Sequence, residues 1–135
     1  MSENSIVIGA GPAGLSAGIG LLKAKHQVKI LEQRPEWKER VCGCFLSAEA
    51  THHLKFLGIK DPFSSTEAVL VHSTKMTFQY EGKKGEKLLT HTTPGIGISR
   101  RSLETLLEKR FIELGGILNR GQRVINMTQF ERWNI

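Results

Sequence analysis

Two cysteines, four prolines, two tryptophans and a single tyrosine among 135 residues already exclude several protein classes. Cys42 and Cys44 are too few and too close together for a disulfide-stapled secreted scaffold. No apolar run approaches the roughly 18 residues a membrane span requires. Met1-Ser2-Glu3-Asn4 lacks the basic start of a signal peptide, so the expected setting is the cytoplasm. Aromatic residues are too sparse for a base-stacking sheet. The net charge of +6, from 19 Lys and Arg against 13 Asp and Glu, raises the question of an anionic ligand. The basic residues are scattered, however, and no recognition-helix or zinc-finger spacing accompanies them, so nucleic acid is not an expected partner. With 39% apolar and 24% charged positions, the composition is that of an ordinary globular domain, without repeats or low-complexity tracts.

Several segments have the patterns of regular structure. Asn4 to Ile8 is short, mostly apolar and β-branched, as suits a buried parallel strand. Pro12 to His26 predicts a helix with Leu15, Ile19 and Leu22 on one face, and Gln27 to Leu31 predicts a second strand. Together they make a βαβ unit with a right-handed crossover. An irregular charged stretch, 33–45, precedes a helix from a Ser47 cap to Leu57, stopped by Gly58. Strand patterns at 68–71, 76–80 and 87–92, with a turn over 81–85, predict a small antiparallel excursion. The charged run Lys83-Lys84-Gly85-Glu86-Lys87 reads as its solvated tip. A helix over 101–114 ends at Gly115-Gly116, and 117–127 returns as strand to the first sheet. The expected fold is therefore α/β: a Rossmann-like parallel sheet with a small antiparallel insertion. Its expected divisions are 1–66, 67–98 and 99–135, the middle one being the start of a substrate domain.

The most informative segment is Gly9-Ala-Gly11-Pro12-Ala13-Gly14. A lone GxGxxG is a weak signal, but here it follows a strand and opens a helix, which is the context the chemistry demands. Gly9 permits the tight turn, Gly11 lets backbone approach a pyrophosphate, and Gly14 lets helix and strand pack closely. The helix start offers N–H groups and partial positive charge to the diphosphate. Glu32, 18 positions after Gly14, closes the second strand where a carboxylate can accept hydrogen bonds from ribose hydroxyls. These features predict a dinucleotide site; the residues alone leave open FAD or a nicotinamide dinucleotide.

The glycine segment, with Leu31-Glu-Gln-Arg-Pro35 after it, resembles the N-terminal fingerprint of FAD-dependent oxidoreductases of the p-hydroxybenzoate hydroxylase type. Arg40-Val-Cys-Gly-Cys-Phe-Leu-Ser47 is similar to the Cys-Gly segment of geranylgeranyl reductases, as are Gly97-Ile-Ser-Arg-Arg-Ser-Leu-Glu104 and Glu113-Leu-Gly-Gly116. That resemblance implies FAD as cofactor and, in a complete enzyme, NAD(P)H as electron donor and a small-molecule or lipid-like substrate. It implies pyrophosphate contacts from Gly9, Gly11 and Gly14, with Pro12 and Ala13 between them. Glu32 and the adjoining Gln33 would lie at the ribose, Arg40 and Arg100 would contact FAD, Cys42 and Gly43 would lie near the isoalloxazine, and Val124 beside the adenine. On the residues alone, Arg40 and Arg100 are equally well read as solvated loop charges, and Arg101 is not separable from Arg100. Phe45 departs from the small or polar residue usual after Cys-Gly.

The expected function is the FAD-binding N-terminal part of an oxidoreductase, most like alkene-reducing enzymes, the alternative being a flavin monooxygenase or halogenase. A non-catalytic fragment and a nicotinamide-binding module are the other readings. The chain is expected to be a portion of a longer enzyme, and alone to self-associate through an unpaired sheet edge. No catalytic acid or base stands out. A metal site at Cys42, Cys44, His52 and His53 is not expected, since no second ligand pair has zinc spacing. Of the two histidines on the second helix, one is expected to face solvent and one to cover the core edge.

Overall fold

A computed structural model of the chain describes residues 4–59, 61–62, 64, 67–129 and 133–134. It forms two compact units, one from Met1–Val41 with Leu103–Ile135, the other from Cys42–Ser102.

The first unit is built on a parallel sheet. β1 (Asn4–Ile8) leads through the glycine loop into α1 (Pro12–Lys23), and β2 (Gln27–Glu32) returns beside β1. β6 (Ile117–Arg120) then pairs in parallel with the other side of β2, giving the order β1-β2-β6. Alternate residues of β2 face inward, and Val28 and Ile30 are buried. α1 covers β1 and β2 with Leu15 and Ile19, both fully buried. The later part of α3 (Arg100–Glu113) contributes Leu107 and Phe111 to the same core. Phe111 dictates two neighbours: a Cβ on Gly18 would come 2.8 Å from its ring, and one on Gly116 would collide with it.

The second unit is antiparallel. β4 (Val69–Tyr80) and β5 (Lys83–Gly97) form a long ribbon, and β3 (Phe45–Leu46) pairs with the end of β5, in the order β3-β5-β4. α2 (Ala48–Leu57) packs on β3 and β5, burying Leu54 and Leu57. β7 (Thr128–Gln129) and β8 (Trp133–Asn134) make a separate two-stranded pair. No helix among the described residues is long and apolar enough to cross a membrane.

The α/β fold agrees with the expectation, and several boundaries do not. α1 ends at Lys23, not His26, because Lys25 adopts a left-handed φ of 70° and turns the chain. No glycine marks that stop, so the sequence carries no sign of it. β6 ends at Arg120, and 121–127 continues without regular structure, because Gly121 (φ 73°) bends the chain out of the sheet. The 68–71 and 76–80 runs are one strand, interrupted by a register irregularity between Val71 and Ser73. The hairpin turn is only Glu81-Gly82, both at positive φ as tight two-residue hairpins require, so Lys83–Lys87 lies in β5. β3 was not anticipated. Ser47 occupies the N-cap position of α2 without a side-chain capping bond. His52 and His53 are both exposed.

Phe45, the departure from the family pattern, has a local explanation. Its ring occupies the space a Cβ on Gly95 would need and lies 6.2 Å from the His91 ring. At the end of α3, Gly115 has φ 88°, a conformation that costs an L side chain roughly 1–2 kcal/mol. Gly115→Ala is therefore expected to lower stability by about 1 kcal/mol, read as a lower denaturant midpoint with an unchanged slope.

Candidate functional site

The site lies at the carboxyl ends of β1, β2 and β6, where open α/β sheets place their ligands. Gly9, at φ 95°, makes the turn out of β1, and its N–H donates to the Leu31 carbonyl at 2.8 Å. Gly11 is the N-cap of α1 with extended backbone and no side-chain capping bond, and Pro12 occupies the first turn. The helix start therefore presents main-chain N–H groups without a side chain over them, an arrangement suited to an anion. Gly14 must lack a side chain, because a Cβ there would overlap the Gly9 carbonyl oxygen.

Glu32 is the one buried acid of the described residues, 7% exposed. Its Oε2 accepts the Ala10 N–H at 2.8 Å and its Oε1 accepts the Arg34 N–H at 3.0 Å. Burial by itself pushes this carboxyl up. The two backbone donors and the nearby Arg40 and Arg120 guanidiniums outweigh burial and hold it below the ordinary glutamate range. An ionised carboxylate has about four acceptor positions, so two backbone bonds leave room for a diol.

That shift gives a pH dependence. Between the folded and unfolded pKa the unfolded chain binds the extra proton, so Glu32 contributes full stability above its unfolded pKa of about 4.3 and loses it as pH falls through the folded value. Glu32→Gln is expected to be less stable than the natural chain at neutral pH, because its NH2 replaces one of the two oxygens and cannot accept the N–H that oxygen holds. The gap should narrow in acid. Urea midpoints across pH measure it, and a gap independent of pH contradicts the assignment.

A cleft of about 450 Å³ opens here, within the range of small-ligand sites. Gly9, Gly11, Glu32, Gln33, Arg40 and Val124 lie on its walls, bringing together six residues singled out in the sequence. Pro12, Ala13 and Gly14 form the adjoining first turn of α1. Cys42 and Gly43 belong to the second unit, in an exposed turn, and Arg100 is the first residue of α3.

Other participants carried no sequence signal. Gln122 and Arg123 also line the cleft, and the Gln122 N–H donates to the Glu32 carbonyl at 2.9 Å. Trp37 Nε1–H donates to Glu104 Oε2 at 2.8 Å, tying the loop after β2 to α3. Arg120, opposite Glu32 in the β2–β6 register, is held by Glu108. The Trp37–Glu104 bond joins residues 67 positions apart and, like the other pairings, exists only once the fold has formed.

The residues fit an adenine dinucleotide: an uncapped helix start for the pyrophosphate, a buried carboxylate with spare lone pairs for a ribose, and a cleft of matching size. Comparison with known proteins identifies the dinucleotide. The chain is 35% identical over 80 residues to an FAD-dependent monooxygenase of Beauveria bassiana, an alignment covering 58% of this chain and 18% of that protein. It is 41% identical over 59 residues to 3-hydroxybenzoate 6-hydroxylase 1 of Aquipseudomonas alcaligenes, covering 44% and 15%. Among solved structures, a probable FAD-dependent monooxygenase from Pseudomonas aeruginosa superposes with a TM-score of 0.76 at 13% identity, over 96% of this chain and 35% of that one. These alignments take in less than a fifth of either curated relative and about a third of the solved structure. The FAD binding domain family matches residues 3–132, and the chain belongs to that family.

Proposed function

We propose that the chain is the FAD-binding part of a flavin-dependent monooxygenase, one that hydroxylates a small organic substrate with NAD(P)H as electron donor. The single observation that carries the flavin site is Glu32, an ionised carboxylate held by two backbone donors beside an uncapped glycine-rich helix start. In this reading Gly9, Gly11 and Gly14, with Pro12 and Ala13, bind the pyrophosphate. Glu32 and Gln33 bind the adenosine ribose, Val124 lies by the adenine, and Arg40 and Arg100 supply positive charge. Cys42 and Gly43 lie toward the isoalloxazine. When bound, FAD supplies the redox chemistry, and this chain's residues bind and orient it.

Alkene reduction, expected from the Cys-Gly segment, is the weaker branch, since both matched curated relatives are named as a monooxygenase or hydroxylase. The antiparallel ribbon β4–β5 would begin the substrate domain. Two free, exposed thiols fit a reducing, cytoplasmic setting, and the outer edge of β4 would let isolated chains associate. Fluorescence titration of the purified chain with FAD and, separately, NAD tests the reading. Saturable flavin quenching without comparable NAD binding is expected; saturable NAD binding with none of FAD overturns it.

A further inference from the structure

The 42–44 turn holds the chain's only two cysteines, both exposed and both free. Their side chains fold back over the same tripeptide. Cys42 Sγ accepts the Cys44 N–H at 3.4 Å, and the Cys44 thiol faces the Cys42 carbonyl oxygen at 3.7 Å. Gly43 between them has open space around its Cα, so no side chain obstructs the turn. Cys44 holds a left-handed φ of 51°, and its carbonyl oxygen accepts the Ile98 N–H at 2.9 Å, which pins one end of the turn to the segment after β5. Among the described residues no group of three or more His, Cys, Asp or Glu side chains is placed to hold a metal ion. The pair is thus arranged as a two-thiol site rather than as half of a zinc site.

We infer that Cys42 and Cys44 are a redox-modification site that peroxide closes to an intramolecular disulfide and thiols reopen. One thiolate attacks the peroxide O–O bond and becomes a sulfenic acid, releasing water. The second thiolate then attacks that sulfur, the S–S bond forms and the sulfenic oxygen leaves as a second water. In balance, two thiols and one hydrogen peroxide give one disulfide and two waters, with two electrons passing from sulfur to oxygen. The ring spans only three residues, so it restrains the unfolded chain little. An exposed disulfide in so short a ring is of the labile kind that exchanges with small thiols. The inference uses only the geometry of the turn and does not depend on flavin binding.

The test treats the reduced chain, without flavin, with hydrogen peroxide in the presence of dimedone. Trypsin then releases residues 41–55, which contain both thiols. The natural chain is expected to lose both thiols together, its peptide lighter by two hydrogens, with little dimedone adduct and full recovery in dithiothreitol. Cys42→Ser and Cys44→Ser should instead accumulate the dimedone adduct on the remaining thiol. A trivalent arylarsenical should bind the natural chain at least tenfold more tightly than either variant, the two-thiol chelate contributing about 1.4 kcal/mol or more. Dimedone adducts or sulfinic acids on the natural chain, disulfide-linked dimers in place of the internal bond, or equal arsenical binding by all three proteins would overturn the inference.

Discussion

Replacing Glu32 with alanine is expected to weaken FAD binding roughly 10- to 100-fold. Hydrogen bonds to a charged acceptor each contribute about 1.5–3 kcal/mol, and 1.4 kcal/mol is about tenfold in affinity. The ribose would lose its acceptor outright. The site would also lose its shape, since the Ala10 and Arg34 N–H groups give up the carboxylate that holds the glycine loop against the end of β2. Glu32→Gln separates the two effects. It keeps the side-chain volume and one oxygen, so its loss of affinity should fall between those of the natural chain and Glu32→Ala. Titrations well below the unfolding temperature, with helix content checked by circular dichroism, distinguish weak binding from unfolding. Equal affinity in all three proteins would remove Glu32 from the site.

Gly14→Val is expected to damage both folding and binding. Its Cβ would overlap the Gly9 carbonyl oxygen and lie 3.1 Å from the carbonyl carbon. Both are backbone atoms, so no side-chain rotation relieves the clash, and α1 must move away from β1. Overpacking of this kind costs about 3 kcal/mol, a fall in Tm of roughly 10 °C for a domain this size. The displaced helix start would carry its N–H groups away from the ligand, so flavin affinity should drop at least as far as in Glu32→Ala. Gly20→Ala is the control on the same helix. A Cβ there meets nothing within 4 Å, and alanine favours helix by about 1 kcal/mol, so that variant should be as stable as the natural chain or more so. Calorimetric melting of the two variants measures the contrast; a Gly14→Val protein as stable as Gly20→Ala would contradict the close packing of α1 on the glycine loop.

The βαβ unit and glycine loop were legible because each rests on local chemistry: glycines where the backbone must turn or pack closely, apolar residues at helical spacing, an acid closing a strand. The features that escaped are those for which the chain carries no local mark. Lys25 ends α1 in a conformation usually left to glycine, so the helix pattern ran on to His26. His26 and His91 look partnerless in sequence, yet their ring nitrogens meet Ser5 Oγ at 3.2 Å and Thr74 Oγ1 at 2.9 Å across strand pairings. Trp37 finds Glu104, and Arg120 comes opposite Glu32, only through tertiary structure. Gly121, at φ 73°, bends the loop after β6 over the cleft, and the Gln122 N–H still reaches the carbonyl of Glu32 at the end of β2, one bond beyond the last paired residues of the sheet. Phe45 is anomalous by local pattern, and its place depends on the distant Gly95, which leaves space for its ring.

The central claim is that this chain holds FAD by its adenosine diphosphate half, at the β1–α1 loop and Glu32. Competition titration tests it most directly: FAD is bound to the purified chain and displaced with ADP, FMN or riboflavin. The account predicts that ADP displaces FAD fully, while FMN and riboflavin, which lack the adenosine ribose, do so at least tenfold less effectively, about 1.4 kcal/mol. Displacement by FMN as strong as by ADP, or FAD binding that ADP leaves untouched, would contradict it.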